Sequence, residues 1–135
     1  MDKNWYQEGL NKNMKKSILI VDDDKMNLKI TELNLKGFGY EVHTVTSGMD
    51  AISFLKQQMV DLILLDIEMP IVNGMKTLEL IRKRPEMSSV PVIFLTASAD
   101  TESVIDACRL EAVDYIVKPS VPRELYARIE KALNE

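Results

Sequence analysis

The chain has 135 residues, a formal net charge of −4 and a hydrophobic content of 46%. The length points to one domain, and the apolar content suffices for one sizeable core and argues against disorder. The charge excludes a broad attraction to nucleic acid or anionic lipid, and no segment is long and apolar enough to span a membrane.

The only cysteine, Cys108, excludes an internal disulfide. A lone thiol fits a reducing compartment, and its position beside Ala107 and Leu110 reads as helix packing. The only histidine, His43, lies between Val42 and Thr44 and is read as structural. Residues 1–16 are polar, lack the apolar run of a signal peptide, and are read as an N-terminal extension or linker.

The domain proper is expected from residue 17. Residues 17–21 (SILIV) are apolar without alternation, as in a strand buried on both faces. Residues 25–36 carry Met26, Ile30, Leu33 and Leu35 roughly at helical spacing, with Asp24 as N-cap and Gly37 and Gly39 as the stop. A second strand is predicted at 40–45. Ser47 with Asp50 resembles a capping box and opens a helix to about residue 58. DLILLD at 61–66 is a third, buried strand. Pro70 and Asn73-Gly74 mark a loop, and helical spacing returns at 75–84. PVIFLT at 91–96 is the fourth strand, followed by a helix at 100–110. VDYIV at 113–117 is the fifth strand, and a last helix covers 122–133.

Five strand-then-helix repeats imply a parallel sheet with right-handed crossovers and helices on both faces. The fold class is α/β. In such a sheet the carboxyl ends of all strands share one edge, where ligands bind. That edge is expected to carry Asp22, Asp23 and Asp24, then Thr46 and Ser47, then Asp66 with Glu68 close behind, then Thr96 and Ser98, and finally Lys118. Crowded carboxylates call for a cation, and hard oxygen donors favour Mg²⁺. Lysine and threonine suit phosphoryl oxygens, and an aspartate is a competent nucleophile toward phosphorus. No glycine-rich nucleotide loop is present, so the phosphoryl donor must arrive on a partner or small molecule.

ILIVDDD at 18–24, DLILLDIEMP at 61–70, PVIFLTA at 91–97 and DYIVKP at 114–119 together resemble the receiver domain of bacterial two-component response regulators. The resemblance covers residue 16 to about 133 and implies a domain at 17–135. It implies a flavodoxin-like, doubly wound (βα)5 three-layer sandwich, with a parallel five-stranded sheet in the order 2-1-3-4-5. By the same resemblance, Asp66 is phosphorylated from a sensor histidine kinase or phosphotransfer protein. Asp23 is a direct Mg²⁺ ligand, Asp22 acts largely through water, and Asp66 and the backbone carbonyl of Glu68 complete the set. Thr96 and Lys118 bind phosphoryl oxygens, Tyr115 is an aromatic switch, and Lys118-Pro119 is a cis peptide.

The resemblance further implies a cytoplasmic regulatory domain rather than an enzyme, limited to its own phosphoryl transfer and autodephosphorylation. Its downstream target would meet the face formed by residues 100–133, where homodimerisation is also open. Glu111 and Ser120 stand where the family commonly has glycine and phenylalanine, and Ser120 is read as a cap for the last helix. Two other readings use the same residues. One is a binding scaffold that no longer cycles phosphate. The other is an aspartyl-phosphate hydrolase with Glu68 as the acid, though such an enzyme would lack its substrate cap.

Overall fold

The computed structural model describes residues 15–69, 72–97 and 112–134. The predicted helix at 100–110, Cys108, Ser98, Pro70, Glu111 and most of the N-terminal extension lie outside the described residues. Five parallel strands, β1 (Ser17–Val21), β2 (Glu41–Val45), β3 (Leu62–Asp66), β4 (Val92–Thr96) and β5 (Asp114–Val117), form one sheet in the order β2-β1-β3-β4-β5. The described helices are α1 (Lys25–Gly37), α2 (Gly48–Gln57), α3 (Gly74–Arg82) and α4 (Pro122–Leu133), with a 3-10 turn at Pro85–Met87.

Period-two alternation splits each central strand between two cores. Leu19, Val21, Ile63, Leu65 and Phe94 pack with Ala51 and Leu55 of α2 and Leu78 and Ile81 of α3. Ile18, Ile20, Leu62, Leu64 and Ile93 pack on the other face with Leu28 and Leu35 of α1 and Leu125 and Ile129 of α4. Every residue of β3 and β4 is buried, which accounts for their unbroken apolar runs. This is the doubly wound three-layer arrangement expected from the strand–helix alternation.

Local signals set several boundaries. The Asp24 carboxylate accepts from the N–H of Met26 and of Asn27 at the start of α1. Gly39, with φ 99°, supplies the left-handed residue beyond that helix. Ser47 Oγ accepts from Asp50 N–H at 3.0 Å and opens α2.

Three expectations are corrected. The buried face of α1 is Leu28 and Leu35, whereas Met26, Ile30 and Leu33 are 73%, 52% and 57% exposed. At about 100° per residue the two sets lie nearly half a turn apart, so both satisfy helical spacing. Asn73-Gly74 is not a loop but the start of α3, with Asn73 accepting from Lys76 N–H at 2.9 Å. Ser120 does not cap α4, whose N-cap is Val121 without a side-chain bond. Pro122 opens that helix and has no N–H to satisfy.

The α1 correction is testable by chemical denaturation. Leu35→Ala is expected to lower unfolding free energy by about 3 kcal/mol, while Ile30→Ala stays within about 0.5 kcal/mol of the parent.

Candidate functional site

Register delivers the acidic groups to one place. Val21 of β1 lies opposite Leu65 of β3, so the next residue on each strand is an aspartate, Asp22 and Asp66. Asp22, Asp66 and the exposed Asp23 bring carboxylate oxygens within 4.8 Å of one another. Asp22 and Asp66 are only 1% and 2% exposed. Each of these two is fixed by a backbone donor two residues on. Asp24 N–H donates to Asp22 Oδ1 at 2.9 Å, and Glu68 N–H donates to Asp66 Oδ1 at 3.1 Å.

β4 and β5 bring the complementary groups. Asp66 lies opposite Leu95, and Thr96 lies opposite Val117, the residue before Lys118. Lys118 N–H donates to Thr96 C=O at 2.7 Å, extending the ladder by one rung beyond β5. The Lys118 ammonium stands 3.3 Å from Asp66 Oδ1 and 3.9 Å from Asp22 Oδ2. The Lys118-Pro119 peptide is cis. Thr96 is buried at 2% exposure, and its hydroxyl donates to Glu68 Oε2 at 3.0 Å. Tyr115 pairs with Phe94 and packs, half-buried, on the core beneath α2 and α3. Phe94 and Thr96 alternate to one face of the sheet, so Tyr115 shares that face with the Thr96 hydroxyl.

Gly74 explains why the site tolerates no bulk behind Asp66. A Cβ on Gly74 would lie 2.3 Å from the Asp66 carbonyl oxygen and 2.7 Å from Ile67 Cα. The first turn of α3 therefore abuts the backbone that carries the aspartate.

Burial is the main force on Asp66, and with its neighbours included its carboxyl is pushed up to about 6. The Lys118 ammonium and the Glu68 N–H pull it down, and the Asp22 charge pushes it further up. Three carboxylates thus face one ammonium. The unsatisfied negative charge, the all-oxygen donor set and the close spacing fit a hard divalent cation such as Mg²⁺.

Two features of the site have no sequence signature. The Glu68 side chain turns back to β4 instead of outward, and the Ala97 N–H donates to Glu68 Oε1 at 3.0 Å. A backbone donor carries no residue-type signal, and the side-chain direction of Glu68 depends on β4 lying alongside.

The sequence pattern of the response regulator receiver domain matches residues 18–130. A probable transcriptional regulator, ycf27, of Guillardia theta is 43% identical over 119 residues, covering 88% of this chain and 46% of the relative. A putative response regulator from Chloroflexus aurantiacus superposes with a TM-score of 0.86 at 32% identity, covering 90% of this chain and 99% of the other. The receiver domain of a sensor histidine kinase from Pseudomonas aeruginosa PAO1, with a magnesium ion coordinated in its active-site cleft, gives 0.83 at 29% identity and the same coverages.

The chain belongs to the response regulator receiver domain family, and its class is the receiver domain of two-component signalling. It spans about half the length of the curated relatives it matches. Among the described residues, no helix is long and apolar enough to cross a membrane.

The raised Asp66 carboxyl gives a signed prediction. The folded protein keeps this proton to higher pH than the unfolded chain, so stability falls as pH rises from the ordinary 3.8 to about 6. Metal-free Asp66→Asn is therefore expected to exceed the parent by about 3 kcal/mol above pH 7, and this gain is expected to vanish below about pH 4. Urea unfolding at the two pH values, in chelator, checks it.

Proposed function

We propose that Asp66 accepts a phosphoryl group from a phosphohistidine on a sensor histidine kinase or phosphotransfer protein. The meeting of Asp22, Asp23 and Asp66 within 4.8 Å, with Lys118 at 3.3 Å from Asp66, carries this reading. In it, Asp22, Asp23, Asp66 and the backbone carbonyl of Glu68 hold Mg²⁺. The ion supplies charge neutralisation for the transferring phosphoryl oxygens.

The chain's own groups do the rest. Asp66 is largely ionised at neutral pH, and its Oδ attacks phosphorus while the phosphorus–nitrogen bond of the donor breaks. The electron pair stays with the imidazole nitrogen, which takes a proton from solvent. Lys118 neutralises a phosphoryl oxygen from one side, and the Thr96 hydroxyl donates to another. Drawing Thr96 inward opens space on the face it shares with Tyr115, and the ring moves into it. The result is a two-state change of the face that β5 and α4 contribute to, which a downstream partner reads.

In this reading residues 17–135 are the receiver and residues 1–16 an extension. The role is regulatory, with only self-directed phosphoryl chemistry, and is set in the cytoplasm. The ycf27 relatives are probable transcriptional regulators, so control of transcription through a longer protein is one output of such a switch. The net charge of −4 gives the chain no broad electrostatic attraction to nucleic acid.

The reading is tested with acetyl phosphate and Mg²⁺, followed by intact-mass measurement. The parent is expected to gain one acid-stable, base-labile phosphoryl group, and Asp66→Asn none. Lys118→Ala is expected to lose at least about tenfold in phosphorylation rate, as removal of one charged transition-state contact does. An unmodified parent, or a modified Asp66→Asn chain, would sink the proposal.

A further inference from the structure

The side chain of Glu68 has no part in the metal set assigned above, yet both of its oxygens are engaged. Oε2 accepts from the Thr96 hydroxyl and Oε1 from the Ala97 N–H, each at 3.0 Å. Its backbone N–H is bonded to Asp66 Oδ1, so this carboxylate is tethered two residues from the acceptor. A carboxylate and a phosphoryl group present the same thing to such a donor pair, namely anionic oxygens in a rigid fork.

We infer that Glu68 is an internal stand-in for the phosphoryl group, holding Thr96 and Ala97 in the unphosphorylated protein and having to leave when Asp66 is modified. The inference rests on the reading of Asp66 as phosphoacceptor. A hydroxyl and an amide each have one proton to give, so a phosphoryl oxygen and Glu68 compete for it. The modified Asp66 also carries about two negative charges where the carboxylate carried one, close to the Glu68 carboxylate, and that repulsion acts in the same direction. Glu68 thereby opposes phosphorylation while holding the Thr96 hydroxyl toward the loop after β3. It is a positioning residue, acting through Thr96 and Ala97. Were it only a tie between the loop after β3 and the end of β4, its removal would lower stability and leave affinity for a phosphoryl mimic unchanged or weakened.

The full chain is titrated with beryllofluoride in saturating Mg²⁺, and amide exchange at Ala97 is followed by NMR. Glu68→Ala is expected to bind beryllofluoride about tenfold more tightly than the parent, the scale of one charge-assisted hydrogen-bond pair no longer displaced. Glu68→Gln keeps one acceptor and loses the charge, and is expected to fall between. In the ligand-free state the Ala97 amide exchanges faster in Glu68→Ala than in the parent, while in the beryllofluoride complexes the two match. Affinity at or below the parental value in Glu68→Ala overturns the inference, as does unchanged Ala97 exchange in the ligand-free variant, which would leave only a charge effect. A parent that takes no beryllofluoride at Asp66 instead removes the phosphoacceptor reading.

Discussion

The ammonium of Lys118 lies between two carboxylates that the sheet forces together. Asp22 and Asp66 follow the last paired residues of neighbouring strands, Val21 and Leu65, so the backbone that carries one lies beside the backbone that carries the other. Both are buried, and ionised carboxylates so placed repel each other unless positive charge lies between them. One lysine from β5 answers part of that demand, at 3.3 Å and 3.9 Å. The backbone N–H groups of Asp24 and Glu68 answer a further part locally.

The compensation is incomplete, and the incompleteness has chemical content. An aspartate whose proton is held to about pH 6 has been taken out of water without full repayment in charge. Such a group gains from a nearby cation. Gly74 adds a steric boundary by bringing α3 against the Asp66 carbonyl, which fixes Asp66 from behind. The fold thus holds an acidic site in a geometry set by register, turn and close packing.

Much of this was legible in the chain. Buried strands read as apolar runs, and a parallel sheet must send all its carboxyl ends to one edge, so Asp22, Asp66, Thr96 and Lys118 followed from the strand predictions. Asp24 and Ser47 were legible as caps because their partners are two or three residues away. The phase of α1 was not, because Met26, Ile30 and Leu33 keep helical spacing as well as Leu28 and Leu35 do, and only the sheet decides which set it covers. Asn73-Gly74 misled for a related reason. A pair typical of turns here supplies a cap and a close approach to a strand, and that approach is a tertiary fact. Glu68 lies in the matched motif, but the direction of its side chain depends on β4 alongside.

The hydrogen bond from Lys118 N–H to Thr96 C=O, at 2.7 Å, joins two residues whose side chains serve opposite ends of the site. Through it the backbone carrying the hydroxyl and the backbone carrying the ammonium are neighbours on a common crosspiece. A tug on either is felt by the other without passing through the core. In the proposed phosphoacceptor reading, the response to a new anion is then a concerted displacement of one sheet corner, rather than two independent side-chain rotations.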